Sequence, residues 1–337
     1  MAECPYFEHL LVIPHLRVQN ANAISSPLTH GFPSMTAFLG LMWALERKTM
    51  AHGLDLCFQA IGVVCHDHQE QITDGNFVNA FRLTRNPIDK DGSTAAIVEE
   101  GRIHLEISLI FALQSEALAR KAPGNERLPE EMAAKVRDLL TQMRIAGGSV
   151  IPFRASSRRQ QPYVVALTGT DEDRQKKFNR LRFHLLPGFA LVARDDLLEQ
   201  RHQALLAENP QTSRLEAWLS LSRINWHSLT TNDEETAAAK RVDWQHDRIK
   251  LGWVVPIPVG YGALSGPHEP GSVANTRDAS TPFCFVESLY SIGQWLSPHR
   301  LQSPQQLLWY ADNQPAQGLY RCRNDYRVPE IFNDDFD

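Results

Sequence analysis

LLVIPHLRVQNANAISSPLTHGFPSMTAF, residues 10–38, decides how the first half of the chain is read. Leu10–Ile13 are uninterruptedly apolar, and Leu16 and Val18 then alternate with Arg17 and Gln19, the pattern of a strand over 10–19. Met35, Phe38, Leu39, Met42 and Leu45 recur at helical spacing behind Ser34, a residue suited to an N-cap, which predicts a helix over 34–48. The connection between them is rich in hydrogen-bonding side chains: Asn20, Asn22, Ser25, Ser26 and Thr29, broken by Pro27, Gly31 and Pro33. Such residues either stitch their own loop or offer neutral donors and acceptors to a ligand.

Outward from this stretch, LCFQAIGVVCH (56–66) reads as a strand, as do residues 77–84 and RIHLEISLIFAL (102–113), where Ile103, Leu105, Ile107 and Leu109 alternate. TRNPIDKDGSTAAIVEEG (84–101) between the last two is long and polar for a connection and suits a protruding hairpin. Residues 130–144 form the clearest helix: Pro129 fits its first turn and Glu130 and Glu131 its positive end. Met132, Val136, Leu139, Leu140 and Met143 make its buried stripe, and Gly147 and Gly148 stop it. SVIPF (149–153) begins another strand. The order β α β β α β places the chain in the α+β class, with an RRM-like or ferredoxin-like core.

The second half is less regular in pattern. A basic helix over 171–186 ends at Pro187–Gly188, FALVA (189–193) is a strand, and a helix covers 195–207. TTNDEETAAAKR (230–241) reads as a surface linker, and the Pro- and Gly-rich residues 251–298 as irregular structure with short strands. The division expected is 1–166 as the core, with a hairpin thumb near 77–102, and 167–337 as a helical and irregular C-terminal extension packed on it.

The 337 residues are 43% hydrophobic and 22% charged, which excludes a mostly disordered chain. A formal net charge of −5 gives no global basic signal for nucleic acid or membrane. The local exception is 154–182, with eight Arg or Lys against three acids. The tail beyond Arg327 is acidic. Five cysteines without a CxxC pair argue against structural disulfides and for a reducing compartment. MAECPYFEHL lacks the basic start of a signal peptide, and no apolar run approaches the ~18 residues of a membrane helix. The expectation is a cytoplasmic protein without membrane contact.

Catalytic signatures are absent: there is no GxSxG, Walker A or HExxH. His15, His30, His66 and His104 have the chemistry for acid–base RNA cleavage, although a lone His is more often structural. In CHDH (65–68) strand alternation puts His66 and His68 on one face, but no third metal ligand is evident. No catalytic residue, metal or cofactor follows. MRIAGGS (143–149) lets a phosphate or another backbone approach closely. In RQKKFNRLRFH (174–184), Phe178, Leu181 and Leu185 form a buried face that leaves Arg174, Lys177, Arg180 and Arg182 outward to track phosphates.

Six stretches together resemble one family: VQNANAISSPLT (18–29), LTRNP…DGSTAAIVEEGR (83–102), MRIAGGSVIP (143–152), LLPGFALV (185–192), GWVVPIPVGYGALS (252–265) and WLSPHR (295–300). They are similar, in order and from about residue 10 to about 322, to the Cas-five-type subunits of type I-F CRISPR surveillance complexes, the second Csy proteins. The resemblance implies an RRM-like core with a thumb and a glycine-rich loop. It also implies pairing with the large subunit to hold the crRNA 5′ handle, contact with the terminal backbone subunit, and target DNA reached only through the assembly. A non-catalytic role follows, because a separate endoribonuclease cuts the precursor; the alternative is a RAMP-type endoribonuclease that cuts it itself. Chemistry within the matching segments selects the RNA-binding candidates: Arg17, Asn20, Asn22, Ser25, Ser26, Arg85, Lys90, Arg102, Gly147 and Gly148.

Overall fold

A computed structural model of the protein describes residues 3–75, 78–85, 88, 91–94, 97–120, 126–152, 160–230, 242–249, 251–276 and 278–328. Lys90, most of the linker at 230–241 and the acidic residues of the tail lie outside the described residues. In chain order the first half forms β1 (His9–Asn22), β2 (Ile24–Ser26), β3 (Thr29–His30), α1 (Met35–Ala51), β4 (Cys57–Glu70), β5 (Ile72–Asp74), β6 (Asn79–Arg85), β7 (Ile97–Glu100), β8 (Arg102–Gln114), α2 (Glu116–Ala119), α3 (Leu128–Thr141), β9 (Arg144–Ile145), β10 (Gly148–Ile151) and β11 (Tyr163–Ala166). The second half forms α4 (Asp171–His184), β12 (Phe189–Ala193), α5 (Asp195–Glu208), α6 (Arg214–Leu221), β13 (Trp226–Thr230), β14 (Val242–His246), β15 (Val254–Ala263), β16 (Val286–Leu296), α7 (Pro304–Leu307), β17 (Leu308–Gln314) and β18 (Leu319–Asn324). The class is α+β, as the sequence predicts, built on one large antiparallel sheet.

In that sheet β10, β1, β8 and β4 are neighbours in this order. Leu11, Ile13, Leu16 and Val18 of β1 pack with Ile103, Leu105 and Ile107 of β8 against α1 and against the α3 stripe of Met132, Val136, Leu139 and Leu140. The opposite face is covered over only part of its length. There Leu10, Val12, Ile110 and Ala112 meet Phe178, Leu181 and Leu185, the buried side of the basic helix α4. Beyond that cover the same face is, among the described residues, open and polar, with Arg17 and Gln19 of β1 beside His104 and Glu106 of β8.

Strand alternation alone does not produce this arrangement. β8 runs regularly, whereas β1 inserts one extra residue between Ile13 and Leu16 and another between Val18 and Ala21. β4 does the same between Phe58 and Ala60 and between Cys65 and Asp67. Each bulge shifts the side chains to the opposite face. Leu10 and Val12 therefore share a face with Arg17 and Gln19. Two of the bulges flank Ser108: its Oγ accepts the backbone N–H of His15 (3.1 Å) and hydrogen-bonds His66 Nε2 (2.7 Å). The two rings stack at 4.2 Å, and His15 Nδ1 donates to Glu106 (2.7 Å). His66 Nδ1 donates to the Pro187 carbonyl (2.6 Å), so Nε2 is the acceptor for the serine hydroxyl and the ring is neutral.

The Pro- and Gly-rich region expected to be irregular with short strands carries two long strands, β15 and β16, with the described residues between them largely irregular. β4 gives its second edge to β17 at Ile61–Gly62 and to β12 at Val64–Cys65. β12, β16, β15, β18 and β17 then lead back to β4, closing a six-stranded ring. Trp309, fully buried, donates its indole N–H to Leu191 O (2.7 Å) across it. Pro256 and Pro258 are tolerated because β15 pairs with β18 only at Gly260–Gly262, so a missing amide on that outer edge breaks no ladder. In the stretch where a thumb is expected, β6 and β7 pair antiparallel, with β5 as a third strand. Among the described residues no helix is long and apolar enough to cross a membrane.

Removing the Ser108 hydroxyl orphans two bulges at once, so Ser108→Ala lowers stability by about 1–3 kcal/mol, read from urea unfolding. His66 is held neutral: burial pushes its pKa below 6.5 and outweighs the opposing effect of the Pro187 bond. The unfolded chain therefore takes up a proton more readily than the folded one. The stabilising difference is complete above about pH 6.5 and is lost as pH falls through the folded pKa. Unfolding midpoints measured from pH 8 to pH 5 fall with pH, and His66→Asn makes the slope shallower; an unchanged slope contradicts the neutral assignment.

Candidate nucleic-acid interface

The open face of the sheet becomes a cleft where β1 ends. At the second β1 bulge Asn20 takes a left-handed backbone (φ 56°), and its N–H, released from the ladder, is accepted by His104 Nδ1 (3.1 Å). β9 and β10 form a hairpin over this point. Its turn is Ala146–Gly147, both left-handed (φ 48° and 78°), the geometry a two-residue hairpin turn needs. The Ala146 carbonyl accepts the Asn22 N–H (2.8 Å). Gly148 serves close approach: a Cβ there would lie 2.7 Å from the Ala21 nitrogen. A Cβ on Gly147 would meet nothing within 4 Å, and its carbonyl accepts from Arg144 Nη1 (3.4 Å).

The thumb supplies the far wall. Arg82 and Glu100 pair across β6 and β7, and Arg82 donates to Gln71 Oε1 (2.9 Å). Arg102 donates through Nε and Nη2 to Glu100 Oε2 (2.8 and 2.6 Å), which holds the Glu100 carboxyl below the usual range. The resulting cleft, 430 Å³, is lined by Asn20, Arg82, Arg102, Arg144 and Gly147 with Gln19, Gln71, Thr84 and Ser149. Three guanidinium groups face one carboxylate, an excess of positive charge on a chain whose net charge is −5. Through Gln19 it continues into a wider trough of 710 Å³ along Arg17, His104 and Glu106. Neutral amides beside arginines can hold base edges, 2′-hydroxyls and phosphates together.

The predicted residues are thus divided. Asn20, Arg102 and Gly147 meet in the cleft, and Arg17 lines its continuation. Asn22 is turned into its own loop, donating to Ile24 O (2.8 Å) and accepting from Ile24 N (3.1 Å). Ser25 and Ser26 hydrogen-bond the Thr29 hydroxyl (2.8 and 2.6 Å), and Ser26 is buried. Gly148 is packed on β1. Arg85 is exposed on the other face of β6, an odd number of positions from Arg82 and Thr84. Lys90 lies outside the described residues. Arg82 and Arg144 were not among the sequence candidates. Their signals were present: Arg82 alternates with Thr84 in FRLTR, and Arg144 directly precedes the glycine turn, although the helix was predicted to run through it.

Other candidates take structural roles. His66 reaches Ser108 on the open face, while His68 stands opposite Leu105, so the bulge at His66 breaks the shared face that simple alternation predicts. Lys177 donates to Thr168 O (2.9 Å) and Arg182 to Leu301 O, so two cations of α4 serve backbone carbonyls instead of facing outward.

A family model for CRISPR-associated Csy2 proteins matches residues 11–322. The chain is 46% identical over 318 residues to the CRISPR-associated protein Csy2 of Pseudomonas aeruginosa (strain UCBPP-PA14), covering 93% of this chain and 94% of that protein. A match across nearly the whole length, including β1, the thumb, the glycine turn and the ring strands, places this chain in the Csy2 family of CRISPR-associated proteins.

Proposed function

We propose that this chain is a non-catalytic subunit of a type I-F CRISPR surveillance complex in the cytoplasm, and that the arginine-lined cleft holds the 5′ handle of the crRNA. The observation that carries the reading is the meeting of Arg82, Arg102 and Arg144 with Asn20 and Gly147 on an otherwise acidic molecule. The strand order β10, β1, β8, β4, with α1 and α3 on one face, supports an RRM-like core whose open face presents the RNA site. Arg17 extends the phosphate track, and Asn22, Ser25, Ser26 and Gly148 shape the loop around Asn20. The handle is gripped jointly with the large subunit. The thumb, with Arg85 and Lys90, faces the terminal backbone subunit, and target DNA is met only through the assembly.

The alternative, a RAMP-type endoribonuclease, needs a histidine free to move a proton. His15 is bonded to Glu106, His66 to Pro187 and Ser108, and His104 accepts from Asn20; His30 lies 3.8 Å from Glu70. Of these, His66 has both ring nitrogens engaged, whereas a carboxylate partner such as that of His15 is compatible with proton transfer, so the cleavage assay decides between the two readings.

The test is a gel-shift titration of handle RNA with the chain co-expressed with its large subunit. Each of Arg82→Ala, Arg102→Ala and Arg144→Ala weakens binding by roughly 10- to 100-fold, the loss of a hydrogen bond to a charged group. Each lost phosphate contact also lowers the salt slope by ~0.7. Precursor RNA incubated with the chain stays intact. Arg85→Glu, on the other face of the thumb, impairs recruitment of backbone subunits and leaves handle affinity within a few-fold. Equal affinity of all three cleft variants and wild type overturns the cleft assignment.

A further inference from the structure

A second cavity, also 430 Å³, opens where the β2–β3 hairpin, the end of β4, β12, β15 and β16 converge. Its chemistry is the reverse of the RNA cleft. Trp253 and Phe189, 49% and 43% exposed, meet edge to face at 5.6 Å. Deeper, Trp295 lies 6.0 Å from Trp253 and takes Phe32 edge to face at 4.9 Å. Asp67 and Glu70 line the same cavity, and among the described residues no Lys or Arg does. The half-exposed Trp and Phe are a fixed feature, since β12 and β15 are both held in the closed ring through β16.

We propose that this cavity receives an arginine or lysine side chain from a protein partner of this chain. A cation over the face of an indole gains about 0.5–2 kcal/mol, more as water leaves, and guanidinium stacks on such faces readily. Asp67 and Glu70 supply the countercharge. An apolar side chain would satisfy the aromatic walls but bring no countercharge to Asp67, whose Oδ1 accepts the His68 N–H (2.9 Å), or to Glu70, 3.8 Å from His30. A nucleotide would bring its phosphate towards two carboxylates; among the described residues the basic groups lining the cavity are the imidazoles of His30, His66 and His68, and His66 is held neutral. Partner and RNA are thereby sorted by charge: the guide's phosphates favour the arginine cleft, and a basic protein segment favours the acidic aromatic cavity. The inference does not depend on the RNA reading of the cleft.

The experiment places p-benzoyl-phenylalanine at position 189 of the full chain, assembled with the other complex subunits and guide RNA, and maps photocross-links after Glu-C digestion. The expected product joins position 189 to another protein subunit within three residues of an Arg or Lys. Asp67→Asn/Glu70→Gln lowers its yield at least tenfold, as does Ala at that partner residue. Arg82→Ala/Arg144→Ala lowers RNA affinity but leaves the cross-link in place, which separates failure of this inference from failure of the cleft reading. Cross-linking to RNA, no cross-link in the assembled complex, or an unchanged yield in Asp67→Asn/Glu70→Gln overturns the proposal. Thermal unfolding reports whether the double variant keeps its fold. Should it not, Glu70→Gln alone carries the same comparison, since Glu70 makes only a 3.8 Å approach to His30.

Discussion

Ser108 sits at the hinge of the molecule's two surfaces. One hydroxyl on the regular strand β8 receives the extra residue of β1 on one side and the extra residue of β4 on the other. Without the β1 bulge, strict alternation would keep Leu16 and Val18 on the face of Leu10 and Val12, and would drive Arg17 and Gln19 into the core beneath α1. With it, the apolar set follows the helices and the polar set emerges just where the cover of α4 ends. The buried, neutral His66 completes the arrangement: a protonated ring could not accept the Ser108 hydroxyl at Nε2. The chemistry of the open face thus depends on a packing device about two residues wide.

The same device accounts for an acidic protein having a basic site. A net charge of −5 spread evenly would repel a phosphate backbone. Here three guanidinium groups are concentrated where β1, the β6–β7 hairpin and the glycine turn converge, while Glu70 lies in the aromatic cavity and Asp67 stands between that cavity and the trough of Arg17. Concentrating charge over a short distance gives one chain two chemically distinct surfaces without requiring either sign to dominate overall.

Much of the chain as far as β12 is legible in the sequence because its periodicities are local. The α3 stripe, the buried face of α4, β12 and the strand alternation of β8 all follow from residues a few positions apart. The ring is not legible in the same way. Pro256, Pro258 and Gly260 read as breakers, and only the absence of a partner on the outer edge of β15 makes them compatible with a strand. Bulges escape for a related reason: the pattern of LLVIPHLRVQ changes phase at Pro14–His15, but which face each phase meets is set by β8 and α4, nearly a hundred residues or more away. Likewise the polar run after β1 has a composition that suits loop and ligand equally. The Thr29 hydroxyl claims Ser25 and Ser26, Ile24 claims Asn22, and Asn20 is left for the cleft.

Asn20 is where that reasoning becomes most specific. A left-handed non-glycine residue costs on the order of 1 kcal/mol or more, and such strain persists only where the surroundings over-determine it. They do so here: Gln19 is fixed against Ser149, Asn22 against the Ala146 carbonyl, and the Asn20 N–H against His104. Those bonds define the backbone completely and use none of the side-chain amide, which among the described residues has no hydrogen-bond partner and lines the arginine cleft. Asn also tolerates this conformation better than most residues. The fold therefore anchors the backbone beneath one unpartnered amide beside three guanidinium groups, and Gly147, without a side chain, lets a ligand approach from across the cleft.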